Sequence, residues 1–441
     1  MHNASMPISL LAIITAVVLF VQAYHPRWQG HLQVDVVLHH LQSLYFQQQG
    51  TFSGVMMNEY QPGAYWFFLV PHLLASLSTS FDAYRAATIF TNASLLIAHG
   101  WLYWRFGPSK SVYALLSIVL AAGPILLYRF DLIVSLLVLS SWLLHMRKRT
   151  LSAVFLVGLA TAIKLYPAAL LPFMIAPALH QRSWQHLGLL AAVAMIGLAL
   201  PIAPFLLFAG TPADIAASFE AQQIKPVGLD SAWGTLLTVT RYGTSPTYHF
   251  AIDSAHGIHG FTAPTTILPL QFYNWAWIIP VGITLFASAP RAGRPPTANP
   301  LIPLLTLTVF TMTQKVINPQ YLWWFASLFP LVIWQNRARR NSALMLLLLG
   351  LIATQAVYPM YYSNFIAWFQ RAPFQGNEPA GWLVGTAVLR NVLLAALLML
   401  LIKEALRQKL LKPPPYKQVL TLWRHSPPQP ETRRAHVPAT T

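Results

Sequence analysis

Charge is what this sequence has least of. Only 9% of its 441 residues are Asp, Glu, Lys or Arg, against about one quarter in an average soluble domain. So little charge cannot cover the surface of a soluble chain this long, which excludes a soluble globular protein. Cysteine is absent altogether, so disulfides and thiolate metal sites are ruled out and the redox compartment cannot be read. Acids are scarce even among the charges, 11 against 28 Lys and Arg, leaving a net charge of +17. No Asp-x-Asp motif occurs, which weakens any case for a bound divalent ion. What is present is apolar: 56% of residues are hydrophobic, far too many for a disordered chain. The pI of about 10.2 would suit a nucleic-acid binder, but the basic residues cluster in short turns between apolar runs, which argues for no nucleic acid. The composition is that of a polytopic, all-α membrane protein.

Apolar stretches near the ~20 residues that cross a bilayer recur along the chain. They fall at 8–24, 84–104, 111–128, 131–146, 150–163, 165–180, 186–208, 266–289, 299–314, 320–335, 342–358 and 382–402, about 12 transmembrane helices. Residues 62–79 are apolar too, but they begin Gln61-Pro62-Gly63 and carry His72, so we read a helix lying at or dipping into the membrane surface. With residues 1–7 cytoplasmic, the inside turns hold Arg105, Lys110, Arg147, Lys148, Arg149, Arg182, Arg291, Arg294, Arg337, Arg339, Arg340 and the basic C-terminal tail. Every acid except Glu404 and Glu431 falls outside. This positive-inside pattern predicts both termini in the cytoplasm of a multi-pass plasma-membrane protein. Val21-Gln22-Ala23 has the small-residue pattern of a signal cleavage site; without a basic n-region, a retained first helix is the better reading. Residues 1–402 form one transmembrane domain, and 403–441, with Pro413-Pro414-Pro415 and scattered Lys and Arg, a disordered arm against anionic lipid. No internal repeat is visible.

Three outside segments are long, 25–83, 209–265 and 359–381, and loops of such length usually carry function. They gather Asp35, Glu59, Asp82, Asp214, Glu220, Asp230, Asp253 and Glu378. In the first, residues 36–49 show helical spacing, with Leu38, Leu41, Leu44 and Tyr45 on one face and His39, Gln42 and Gln49 elsewhere. That predicts an amphipathic juxtamembrane helix, with Asp35 at its start as a helix cap or as a functional acid. Glu59-Tyr60-Gln61-Pro62-Gly63 follows as an aromatic turn. Cations at outer span ends are Arg129, flanking Phe130 with Asp131; Lys164, before Tyr166-Pro167; and Lys315, ahead of Asn318-Pro319-Gln320-Tyr321. They suit an anionic lipid phosphate, or snorkelling and pairing such as Arg129 with Asp131. His249, His256 and His259 tempt a metal reading, but Gly257 and Gly260 argue for coil and no carboxylate stands at helical spacing; no metal site is expected. The cytoplasmic turns hold no Gly-rich phosphate cradle, which argues against a nucleotide-consuming site.

Four of these stretches together resemble the polyprenol-phosphate-sugar-dependent glycosyltransferases of the GT-C fold, and most of all the bacterial α-mannosyltransferases of glycosyltransferase family 87. They are the Asp35 loop leading to Glu59-Tyr60-Gln61-Pro62-Gly63, the run Tyr128-Arg129-Phe130-Asp131-Leu132, the run from Gly158 to Pro167 around Lys164, and Lys315 to Tyr321. They stand in the family's order over residues 25–325. The sequence departs at Gln61, where a Pro or small residue is expected, and in lacking a second acid close to Asp35. The resemblance implies transfer of a hexose, most simply mannose, from a polyprenyl-monophosphate donor to a glycolipid or glycan acceptor on the outer face, with inversion. It makes Asp35 the base, Arg129, Lys164 and Lys315 holders of the donor phosphate, and Glu59, Tyr60, Gln320 and Tyr321 a lining for the sugar or acceptor. The lipid-linked sugar is then a substrate, and no cofactor is expected. The main rival is a lipid or sugar transporter or flippase, which should show broken or charged helices near mid-membrane; Arg390 is the main such charge. A non-catalytic scaffold would not need the acids and cations to meet.

Overall fold

Runs of Leu, Ile, Val and Ala between Pro, Gly and charged breaks become helices that begin and end close to where the runs do. A computed structural model describes residues 8–54, 60–108, 110–241, 250–253, 258–261, 270–278, 281–282, 299–370, 381–408 and 410. The first half comprises α1 (Ile8–Ala23), α2 (Pro26–Leu32), α3 (Val34–Gln49), α4 (Pro62–Leu74), α5 (Phe81–Phe106), α6 (Ser111–Ala122), α7 (Asp131–Met146), α8 (Thr150–Ile163), α9 (Leu171–His180) and α10 (Trp184–Pro204). Then come α11 (Pro212–Ile224), β1 (Val227–Gly228), α12 (Ala232–Arg241), β2 (Phe250–Asp253), β3 (Ile258–Phe261) and α13 (Leu270–Trp275). The last group is α14 (Leu301–Thr313), α15 (Leu322–Ala326), α16 (Arg337–Gln355), α17 (Tyr362–Gln370) and α18 (Gly381–Arg407).

This is an all-α, membrane-type protein with one small sheet among the described residues. Four helical stretches are long and apolar enough to cross a membrane: Ser111–Tyr128, Trp184–Ala209, Arg337–Met360 and Gly381–Arg407. Shorter apolar helices, α7, α8, α9 and α14, fill the bundle around them. The twelve predicted spans are therefore not twelve long helices. Most of 266–289 lies outside the described residues. Residues 320–335 do not form the predicted helix: a 3-10 turn at Pro319–Tyr321, the five-residue α15 and a second 3-10 turn at Phe329–Leu331 replace it. Residues 322–332 are all buried. Irregular backbone at membrane depth survives only inside protein, and Pro319 and Pro330 break what the apolar run alone would continue.

Helix α4 has 13 residues, about 20 Å of rise against ~30 Å of hydrocarbon. It packs against α3, α5, α8 and α10 and buries Tyr65, Phe68, Pro71 and His72. Helix α3 forms, but its predicted faces do not hold: His39 and Gln42 of the polar face turn inward while Gln49 is exposed, and Tyr45 of the apolar face packs on the core. Val36, His39, His40, Gln42 and Ser43 are buried, whereas Val34 and Leu41 are more than half exposed. Ser43 Oγ donates to the Phe68 carbonyl at 2.9 Å, and His39 stacks on Phe68. Helices α8 and α10 meet through Gly158 and Gly197, where a Cβ would run into the Ala194 and Phe155 carbonyls. The outward side of α10 is apolar and bare, with Leu189, Met195, Ile196 and Leu200 exposed. Such a surface suits lipid.

Chain direction sorts the helix ends. The turns with Arg105 and Lys110, Arg147 to Arg149, Arg182, and Arg337 to Arg340 lie at one end of the bundle; Arg129–Asp131, Lys164–Tyr166, Lys315–Tyr321 and Tyr358–Tyr362 lie at the other. The segment after α10 adds the sheet, in the order β1-β3-β2 with both pairings antiparallel. Residues 258–261, expected as coil, are β3, where His259 sits opposite Ile252. His249 and His256 lie outside the described residues, as does the tail beyond 410.

Candidate active site

Asp35 is the second residue of α3. The helix cap is Gln33, which makes no side-chain capping bond, so Asp35 is not an N-cap. Its carboxylate pairs instead with the Arg129 guanidinium. Arg129 is buried and follows the 3-10 turn Gly123–Tyr128 in extended conformation. Only glycine serves at 123, where φ is +68° and the Gln355 side chain fills the space of a Cβ. Arg129 Nη2 donates to the Tyr358 hydroxyl at 2.9 Å, and that hydroxyl donates to the His31 carbonyl at 2.6 Å. Tyr358 reaches this point because the chain leaves helical geometry there, at φ −136° and ψ 125°.

The expected neighbour pairing of Arg129 with Asp131 does not form. Asp131 turns to Lys164, whose Nζ lies 2.6 Å from Oδ1, and the Trp324 indole donates to the same oxygen at 2.6 Å. Lys164 ends α8 in an extended conformation. Its ammonium sits 4.8 Å from the Phe130 ring, 4.9 Å from Tyr321 and 5.0 Å from Trp324, a cation–π cage. Tyr166 and Tyr321 stack on Trp324 at 4.4 and 4.0 Å and fix that cage. Gly63 lets the first turn of α4 touch the end of α8, since a Cβ there would lie 2.6 Å from the Ala162 carbonyl oxygen.

These groups open on one cavity of about 560 Å³, and Asp35, Tyr60, Arg129, Lys164, Gln320 and Tyr321 all line it. Lys315 does not: its ammonium donates to the Gln223 carbonyl at 2.7 Å behind the wall, and its own carbonyl accepts from Gly228 N. Glu59 lies outside the described residues. Lys225, Asp230, Tyr358, Tyr362 and His31 line the cavity as well. Sequence reasoning grouped Asp230 only with the loop acids and singled out neither Lys225 nor the tyrosines; a lone lysine before Pro226 was the one available signal.

Several buried polar atoms at the site have no hydrogen-bond partner: Arg129 Nε, Asp131 Oδ2 and Gln320 Oε1. Native interiors seldom leave such groups unsatisfied without a reason. Burial, and then the charge of Lys225, push Lys315 down to about 7. Two lysines that close repel each other unless an anion joins them. Burial, and next the Lys164 charge, push His39 down to about 3, so it stays neutral beside the Tyr60 hydroxyl at 3.2 Å. Asp230 is raised by burial, which the Arg390 guanidinium 3.6 Å away opposes. Arg390, the main charge behind the transporter reading, is thereby tied to a partner. Among the described residues no three His, Asp or Glu side chains converge as a metal-binding group.

The site is thus an acid and several cations around a roomy cavity at one end of a membrane-type helical bundle. The chain matches no protein-family model, and a sequence search against curated proteins finds no match.

Proposed function

We propose that this chain is a membrane glycosyltransferase that moves a hexose, mannose first among candidates, from a polyprenyl monophosphate to an acceptor hydroxyl. The observation that carries this reading is the meeting of Asp35 with Arg129, Lys164 and Lys225 around one cavity, from loops as far apart as residues 35 and 225. Asp35 is the base: it takes the proton of the acceptor hydroxyl as the acceptor oxygen bonds to the sugar C1 and the C1–O bond to phosphate breaks. The electron pair leaves with the polyprenyl phosphate, which Lys164 and Lys225 neutralise, so no general acid is required. Attack opposite the leaving phosphate inverts the anomeric centre. Lys315 acts from behind the wall, through its charge on Lys225. Tyr60, Gln320 and Tyr321 line the sugar, with Glu59 in the same loop as Tyr60.

The cavity lies at the bundle end away from the basic turns, and the positive-inside rule assigns those turns to the cytoplasm. The active face is then extracytoplasmic and both termini are cytoplasmic. On this reading residues 319–335 cross back as a buried, broken segment, which keeps the twelve-pass path in a plasma-membrane protein. Membranes carrying the full chain, given radiolabelled polyprenyl-phosphate-mannose, are expected to transfer label to lipid or polymer. No transfer from the mannose, glucose or arabinose donors alike would overturn the proposal.

A further inference from the structure

The residues that line the cavity fall into two groups of different chemistry. One is Lys164, Lys225 and Gln320; the other is a wall of mutually contacting His31, Tyr358, Tyr362 and Ser363, with Asp230 close to Tyr362 and Arg129 bonded to the Tyr358 hydroxyl. We propose that this second wall is the acceptor subsite, and that it takes a neutral polyhydroxyl ring in preference to a phosphorylated headgroup. Its place in a reaction rests on the transferase reading; the binding it predicts does not.

A sugar ring has an apolar C–H face and an edge of hydroxyls. Aromatic faces meet the first, because the ring's negative face attracts polarised C–H groups; a carboxylate meets the second, because it only accepts hydrogen bonds. The wall supplies both. Tyr358 and Tyr362 lie 4.8 Å apart edge to face, and His31 meets Tyr362 the same way at 5.5 Å. His31 Nε2 and Ser363 Oγ are 2.8 Å apart, which joins α2 to the first turn of α17. Burial, and then the nearby Asp230 charge, hold the Tyr362 phenol well above its ordinary range, so it remains a hydroxyl donor.

Asp230 is presented from a fixed support. Arg390 Nη1 lies 3.6 Å from Asp230 Oδ2, while Arg390 Nε and Nη2 turn to Asn391 Oδ1 at 3.3 and 3.2 Å. Asn391 in turn donates to Thr235 Oγ1 at 2.5 Å and to the Ser231 carbonyl at 3.3 Å, clamping the segment that bears Asp230 onto α18. Such second-layer support holds a binding group in register. The Asp230 side chain stays partly exposed and lines the cavity, and a carboxylate with two oxygens can accept hydroxyl protons there beside its Arg390 contact. Asp35 is already paired with Arg129, so the charge that a phosphate on the acceptor would meet here is the Asp230 carboxylate, and a like charge in a partly dry cavity disfavours it.

The test is calorimetric binding to the full chain in lipid nanodiscs, with three probes: octyl α-mannoside, its 6-phosphate, and polyprenyl phosphate. The neutral glycoside is expected to bind at least about tenfold more tightly than its phosphate. Asp230→Asn should weaken it by roughly ten- to a hundredfold, the usual cost of a lost charge-assisted contact, and narrow the gap to the phosphate. Tyr362→Leu, which leaves the Arg390 pair intact, should also weaken the glycoside, and both variants should keep polyprenyl phosphate. A glycoside that does not bind wild type, or that binds both variants as tightly, overturns the subsite even if polyprenyl phosphate binds. Glycoside binding without polyprenyl-phosphate binding supports the subsite and counts against the donor assignment instead.

Discussion

At the basic end of the bundle, Glu404 is wholly buried and both of its oxygens are engaged. Oε1 accepts from the Gln335 backbone at 3.0 Å and from Gln408 at 2.9 Å, and Oε2 accepts from Arg339 at 2.9 Å. At the other end Asp131 is just as deeply buried, yet one oxygen takes both Lys164 and Trp324 while the second has no hydrogen-bond partner. Asp35, beside it, keeps about a quarter of its side chain accessible while it pairs with Arg129. The first arrangement is complete and fastens α18 to the start of α16. The second faces a cavity and has acceptor and donor capacity left over. Burial and charge are shared by both ends; what separates a fastening from a site is whether the polar groups are used up.

The largest expected effect tests that contrast at Asp35. Asp35→Asn keeps size and polarity, and since Gln33 is the cap, α3 loses nothing at its start. Removing a general base typically costs ~10²–10⁴-fold, so the variant should fold and bind donor while turnover drops by that factor. Turnover near wild type would return Asp35 to a structural partner of Arg129.

Lys225→Ala comes next. On the proposed transferase reading, loss of one charge-assisted contact to the donor phosphate should raise the apparent KM for polyprenyl-phosphate sugar by roughly ten- to a hundredfold; an unchanged KM would take Lys225 out of the proposed donor site. A smaller effect should appear with pH. Lys315 titrates near 7 in the free protein, and a bound anion favours its charged form. Binding therefore takes up a proton and weakens as pH rises through about 7. Donor affinity should fall roughly tenfold between about pH 6.5 and 8.5, and Lys315→Met should flatten the profile. The smallest effect on chemistry belongs to the far end. Glu404→Gln should lower stability by about 1–3 kcal/mol, read as a reduced Tm, with KM and turnover per folded molecule unchanged. A change in donor KM there would erase the distinction between the two ends.

The helices were legible because apolar runs, proline and basic turns are local signals. α7 and α8 occupy the predicted residues 131–146 and 150–163. Residues 320–335 were misread because an apolar run buried on all sides has no period to reveal its backbone. On α3 the spacing did not show that His39 and Gln42 would turn inward, because in a membrane-type protein polar side chains can belong to the protein interior and apolar ones such as Leu41 to the outside. Asp35, Arg129 and Lys164 stood out as lone charges at span ends. Their partners did not, since Tyr358 meets Arg129 across 229 residues of chain and Asp230 meets Arg390 from a different loop. Such pairings depend on tertiary closure, which residue spacing does not record.

The seam between α8 and α10, where two glycines let backbone lie on backbone, has a practical consequence. Among the described residues little else covers α10, so in a bilayer acyl chains would be its outer brace, and α8 ends in Lys164. The solvent that replaces those chains during purification becomes part of the apparatus that aims the lysine. A detergent micelle that packs loosely against α10 would leave the helices intact and the aim slack. For this molecule, the choice of amphiphile is a choice of geometry at the candidate site.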